Sequence, residues 1–322
     1  MNRLNLNSIL FKPVLIFDIK INHLKNQLLS SHLKLHFIVL IYGFTAILGK
    51  LITLPAIQIV WYRMMIAFIS FFFFLLWKRT ELRVNWARLL KLLGIGSIVA
   101  LHWLAFFGAI KIANVSVALG CLATSTLFTS LLEPFFMKKR IDRLEVIIGL
   151  LIIGGLYLIF RYETSYSLGI LVALAAAFLA GLYSVLNKKM VVHLKGSVIS
   201  FYEMMGGLIC LTLYMLINGD KNIALPNPTD LIYLLILGII CTAYAFAVQI
   251  NIMKHLSAYI VALTINLEPV YGILLAFYIF GETEHMTAGF YLGTTLILVS
   301  VLGFPLYHYY RRLKDRNEAL AH

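Results

Sequence analysis

The sequence predicts an all-α membrane protein whose ten transmembrane helices form two inverted five-helix repeats. Three observations carry that expectation. The apolar excess falls into ten runs of membrane-spanning length, the basic residues gather on alternate loops, and the first half of the chain can be laid on the second at a nearly constant offset.

The apolar runs come first. Of the 322 residues, 61% are hydrophobic and only 13% are charged, where a soluble domain carries about 25% charged residues. About 20 apolar residues in a helix, at about 1.5 Å each, cross a hydrocarbon core of about 30 Å. Lipid offers the backbone no hydrogen bonds, so each run should be a helix. The predicted helix cores are 35–52, 56–77, 89–110, 114–137, 145–161, 168–187, 197–217, 230–252, 258–280 and 287–310. The three cysteines, Cys121, Cys210 and Cys241, all fall inside these helices, which argues against a disulfide framework.

The formal net charge of +13 would suggest nucleic acid in a soluble protein. Here its distribution points to topology. With the N-terminus inside and ten crossings, the inner segments hold 22 Lys and Arg residues and the outer loops hold four, Lys50, Lys111, Arg161 and Lys221. Cytoplasmic loops carry such an excess. Both termini are therefore expected in the cytoplasm, with lipid headgroups as the basic residues' partners and no nucleic-acid partner. Residues 1–32 read as a cytoplasmic extension, 33–162 as the first repeat, 163–310 as the second, and 311–322 as a basic cytoplasmic tail.

The repeat is visible in register. "GFTAILGKL" at 43–51 aligns with "GLYSVLNKK" at 181–189, and "WYRMM" at 61–65 with "FYEMM" at 201–205. From the third helix onward the offset settles at 144, matching "VAL" at 117–119 with 261–263 and Gly149 with Gly293. Five helices per repeat is an odd number, so the second copy enters the membrane from the opposite side. Secondary transporters are commonly built this way, with substrate held near mid-depth between the halves.

Tyr42-Gly43, Arg63, Pro269, Gly281-Glu282, Gly149 and Gly293 stand at positions that resemble the EamA type of the drug/metabolite transporter superfamily, over about residues 35–308. The resemblance implies ten helices and transport of small metabolites, often outward, across a bacterial inner membrane. The chain departs from the pattern at Ser125, where a proline is expected, and at Lys138, where a Glu is expected.

Intramembrane charges mark candidate sites, because each costs about 2.5–3.5 kcal/mol or more at the bilayer centre. Glu268 lies ten residues beyond Ala258 and fourteen before Glu282, near mid-depth, with Pro269 beside it. A kink at Pro269 would free a carbonyl near Ile265 next to the carboxylate. His102, with Trp103 beside it, also falls at mid-depth. It is a candidate for substrate or proton contact, or a histidine that only ties two helices together. Arg63 would attract a substrate anion, or else pair with carbonyls, and Glu203 occupies the related position in the second repeat. A direct Arg63–Glu203 pair is one possibility. Thr124, Gln249 and Asn266 add milder polar groups at central depth, each a candidate for substrate contact or for interhelical bonding. Glu133-Pro134 sits five residues from Lys138, close enough to the cytoplasmic face for a gate or helix-end role in reach of water. Pro134 and Pro269 are the expected helix breaks.

No Gly-rich phosphate loop or G-x-S-x-G elbow occurs, and no second His or Cys lies at metal spacing near His102. The expectation is a secondary transporter of a small, amino-acid-like metabolite, with no catalytic residues, cofactor or metal, as a monomer or homodimer. The rival readings are an integral membrane enzyme and a non-transporting accessory subunit.

Overall fold

The computed structural model describes the backbone over residues 7–138, 143–162, 164–218, 223–300 and 303, with side chains from residue 27 onward except at 143, 145 and 146. The basic tail, the last turns of the tenth predicted helix, Lys139, Arg140 and Lys221 lie outside the described residues, as do the side chains of most of the 1–32 extension.

Every regular element among the described residues is helical. Eight helical stretches there are long and apolar enough to cross a membrane, Gln27–Leu51, Ala56–Trp77, Trp86–Ile112, Val115–Met137, Thr164–Met190, Gly196–Ile217, Pro228–Ile252 and Ala258–Glu284. Two shorter apolar helices, Ile147–Tyr162 and Ala288–Ser300, stand where the fifth and tenth spans are expected. The chain is an integral membrane protein. Its elements are α1 (Asn7–Leu51), α2 (Ala56–Trp77), α3 (Trp86–Ile112), α4 (Val115–Leu122), α5 (Ser125–Met137), α6 (Arg143–Tyr162), α7 (Ser167–Met190), α8 (Gly196–Ile217), α9 (Pro228–Leu235), α10 (Ala245–Ile252), α11 (Ala258–Ile265), α12 (Glu268–Phe280) and α13 (Ala288–Ser300).

Helix starts are set locally. The side chains of Asn85, Asn114, Asn227 and Ser257 each accept the backbone N–H three residues on, at the starts of α3, α4, α9 and α11. Such caps satisfy one of the four N–H groups a helix start leaves open.

Three spans depart from a regular α-helix, two of them at places other than the expected prolines' kinks. The fourth span breaks between α4 and α5 at Ala123-Thr124, and the ninth between α11 and α12 at Asn266-Leu267. In the ninth span Pro269 sits in the first turn of α12, so it opens a new helix segment rather than kinking one already under way. A proline is tolerated there because its missing N–H belongs to the unsatisfied first turn. In the fourth span the break comes at Thr124, ten residues ahead of Pro134, which lies inside α5. The eighth span carries nine residues of π-helix, Ile236–Tyr244, between α9 and α10.

Contacts at the helix ends show how the repeats are oriented. At one end, Lys111 Nζ donates to the Ile52 carbonyl, Asp230 accepts from Thr53 N–H and Oγ1, and Glu284 meets Lys50 and the start of α4. At the other end, Lys188 donates to the carbonyls of Met253 and Leu256, Asn251 accepts from Gly196 N–H, and Glu133 meets the start of α11. The fourth span therefore runs from the Lys50 end to the Lys188 end, and the ninth runs the opposite way. The repeats are inverted and interleaved. Helix α3 packs on α7 and α8, α2 on α8, α4 on α12, and α5 on α11.

Close approach is densest where α3 crosses α8. A Cβ on Gly96 would lie 2.1 Å from the Glu203 backbone oxygen, and one on Gly206 would lie 2.4 Å from the Leu93 oxygen. Only glycine permits the two backbones to come this near, as small residues do at other membrane helix crossings.

Candidate functional site

The two broken spans meet at the middle of the bundle. Thr124 Oγ1 bonds back to the Cys121 carbonyl, and Asn266 Nδ2 donates to Thr126 Oγ1 across the repeats. Beside these breaks lies a central cavity of about 70 Å³, lined by both repeats. A polar cavity needs about 10–15 Å³ to hold one water, so this one accommodates several waters or a small ligand.

Glu268, the first residue of α12, lines the cavity and is 5% exposed. Arg63 reaches it from α2 and is 2% exposed. The guanidinium is held on three sides. Nε donates to Thr242 Oγ1 at 2.5 Å, Nη2 lies 3.5 Å from the Cys241 carbonyl, and the group stacks 3.8 Å from the centre of the Trp103 ring. Both polar partners belong to the π-helical segment, and Thr242 Oγ1 in turn donates to the Leu237 carbonyl five residues back. π-turns recur at functional sites because they re-aim side chains and carbonyls. One donor, Arg63 Nη1, is buried without a partner. Arg63 is thus anchored to a carbonyl and keeps one N–H without a partner.

The other walls are aromatic and amphipathic. His102 Nδ1 lies 2.8 Å from the Ala176 carbonyl, which can only accept, so Nδ1 carries the hydrogen and Nε2 is the ring nitrogen left over. His102 does tie α3 to α7, and it lines the cavity as well. Tyr42 donates to Gln249 Oε1 at 2.6 Å, which fixes the amide from α10 at the cavity edge. Trp103, Tyr183 and Phe246 pack edge-on and tilted around the opening, with centroids 5.7 and 5.9 Å apart.

Of the residues singled out by sequence, Glu268, Arg63, His102, Trp103 and Gln249 share this cavity. Thr124, Asn266 and Glu203 do not line it. Asn266 caps the end of α11, and Thr124 stands at the start of α5 and bonds back to Cys121. Glu203 is fully buried in α8 and bonds to Asn187, so it forms no pair with Arg63. Thr45, Thr129 and Ser184 line the cavity without having been anticipated, since a short hydroxyl in an apolar helix gives no sign of which way it faces.

Two carboxylates hold the broken spans at opposite ends. Glu284 follows α12 and grips the start of α4. Its Oε1 accepts from Val115 N–H at 3.1 Å and pairs with Lys50 at 2.7 Å, while Oε2 accepts from Ser116 N–H and Oγ at 2.8 Å each. Glu133, near the end of α5, grips the start of α11, accepting from Tyr259 N–H at 3.0 Å. Val115 and Tyr259 are 144 residues apart, so the two grips hold repeat-related donors. Glu133 is 4% exposed, which corrects the expectation that it would reach water. Negative charge at a helix N-terminus is favoured by the macrodipole as well as by the open N–H groups.

Known proteins agree with this architecture. The profile of the EamA-like transporter family matches residues 30–161 and again 167–304. An uncharacterized transporter of Clostridium kluyveri is 24% identical over 215 residues, 64% of this chain and 68% of that protein. An uncharacterized transporter of Archaeoglobus fulgidus is 24% identical over 263 residues, 79% of this chain and 90% of that one. A protein of known crystal structure superposes with a TM-score of 0.63 at 19% identity, covering 85% of this chain and 98% of that one, a likeness of fold. With two family matches spanning most of its length, the chain belongs to the EamA-like transporter family.

Proposed function

We propose that the chain is a secondary transporter that carries a small organic metabolite through the central cavity by alternating access between its inverted repeats. The observation that carries this reading is that an unpartnered Arg63 Nη1 and the Glu268 carboxyl line the same buried cavity with no ion pair joining them. A buried charge left without its counter-charge is costly unless something else satisfies it. A small molecule bearing both an anionic and a cationic or hydroxyl group satisfies both, which fits an amino-acid-like compound. The Glu284 and Glu133 grips supply the two ends that open in turn. Following the basic-residue asymmetry, the Lys188 end faces the cytoplasm and the direction is outward across the bacterial inner membrane.

The test is a melting-temperature screen of the purified protein against a metabolite library. A ligand at a hundred times its Kd stabilises the folded state by about 2.7 kcal/mol. Compounds that raise the melting temperature of the wild type, and not of Glu268→Gln or Arg63→Lys, support the reading. Equal shifts in all three proteins move the site elsewhere.

A further inference from the structure

Outside the cavity, one polar cluster remains unexplained. Glu203 of α8 is fully buried, and so is Asn187 of α7. Asn187 Nδ2 donates to Glu203 Oε2 at 3.3 Å. The other two polar atoms of the same pair, Glu203 Oε1 and Asn187 Oδ1, are buried and have no partner. A carboxylic acid and a primary amide form two antiparallel hydrogen bonds, N–H to C=O and O–H to C=O. Here the first exists, and the two atoms left over, Glu203 Oε1 and Asn187 Oδ1, are the ones the second would join. Both are acceptors while the carboxyl is ionised, so that second bond requires a proton on Oε1. Ser200 Oγ, one turn nearer the start of α8, is a third buried oxygen without a partner.

The surroundings offer no counter-charge. From α3, Glu203 faces the backbone at Gly96. The cation of α2, Arg63, is anchored on Thr242 and Cys241, lines the central cavity and forms no ion pair with Glu203. Helix α10 brings neutral Gln249 and Asn251, and Asn251 is bonded to Gly196. On α7 the neighbours are Tyr183 and Ser184, one turn before Asn187, while Lys188 is held by the carbonyls of Met253 and Leu256. Glu203 makes no ion pair among the described residues. An ionised carboxylate in such a place carries a large desolvation penalty, and protonation removes it.

We propose that Glu203 and Asn187 form a proton-binding site, separate from the ligand cavity, that loads and releases one proton in each transport cycle. This rests on the transporter reading for its role in a cycle, but not for the proton itself. The site adjoins the cavity through Tyr183, which lines it. Towards the Lys188 end it is closed by the Asn251–Gly196 bond. When that contact opens and water reaches Ser200, the acid dissociates. The proton leaves to water and the carboxylate stays, now hydrated, until it is protonated again.

Infrared spectroscopy of the full-length protein in lipid at neutral pH reads the proton directly. The wild type minus Glu203→Gln difference should show a carboxylic-acid C=O band, and Asn187→Leu should move that band to higher frequency by removing its donor. Gln at 203 can form the same two-bond pair with Asn187, so Glu203→Gln should melt at or above the wild-type temperature. Should that variant fail to fold, the Asn187→Leu shift decides alone. A carboxylate band in place of the acid band overturns the proposal. So does a melting temperature raised by sodium chloride over choline chloride in wild type and not in Glu203→Gln, since a metal ion would then hold the site. In proteoliposomes with a trapped pH dye, a compound identified by the melting screen should drive a pH change in wild type, and Glu203→Gln should exchange the compound without it. Exchange by the wild type with no pH change overturns the coupling. Absence of any exchange with the acid band present counts against the transporter reading instead.

Discussion

Replacing Glu284 with Gln should bias the protein toward opening at the Lys50 end. The carboxylate receives four contacts there, from Lys50, from Val115 N–H, and from the N–H and hydroxyl of Ser116. An amide keeps one acceptor oxygen and turns an NH₂ toward donors that already point inward. Hydrogen bonds to charged groups contribute about 1.5–3 kcal/mol each. Opening lets water replace part of what is lost, so about 2 kcal/mol, the worth of one such bond, is a fair net bias. That shifts a two-state equilibrium by roughly 30-fold. Cys121 on α4 provides the readout, since it is fully buried and lies between Ser116 and the break at Thr124. With Cys210→Ser and Cys241→Ser in the background, a membrane-impermeant maleimide should label Cys121 up to about 30-fold faster in Glu284→Gln vesicles. Glu133→Gln, at the other end, should not accelerate it. Unchanged labelling in Glu284→Gln, or equal acceleration in Glu133→Gln, would refute the assignment of the two grips to separate ends.

Other consequences are simpler to state. Gly96→Leu places side-chain atoms against the Glu203 backbone, and should destabilise the protein by about 1–3 kcal/mol or more, seen as a lower melting temperature. Thr242→Val removes the acceptor of Arg63 Nε and should cost about 1–3 kcal/mol, with weaker ligand-induced stabilisation, because the guanidinium is no longer aimed. Reporter fusions after residues 164 and 220 should report the exterior, as the odd helix number of each repeat requires, and a cytosolic signal at either would contradict the proposed sidedness.

Much of the architecture could be read before the coordinates, and what escaped has physical causes. Span length and charge bias follow from the bilayer, so most helix positions were legible to within a few residues; the exception is α1, which starts at Asn7, within the expected extension, rather than near residue 35. Depth was legible too, since it is a count along a helix. Glu268, His102, Trp103 and Gln249 were placed near mid-depth and Arg63 within the membrane, and all five line the cavity. The direction each residue faces was not legible. These helices are apolar on every side, so no stripe tells Glu203 or Asn266 from the cavity residues. The break at Thr124 has no proline to announce it, and the π-segment Ile236–Tyr244 has no local signature at all. The Glu284 grip reaches 168 and 169 residues back along the chain, and no window of sequence contains both partners.

The most direct test of the account is a lock placed across one end. Cysteines at positions 50 and 284, joined by a short reducible thiol cross-linker in an otherwise cysteine-free protein, would replace the Lys50–Glu284 pair with a covalent link between the repeats. In proteoliposomes, exchange of a compound identified by the melting screen should stop on cross-linking and resume on reduction, while binding of the compound persists. Exchange continuing at the uncross-linked rate would contradict transport by alternate opening of the two ends.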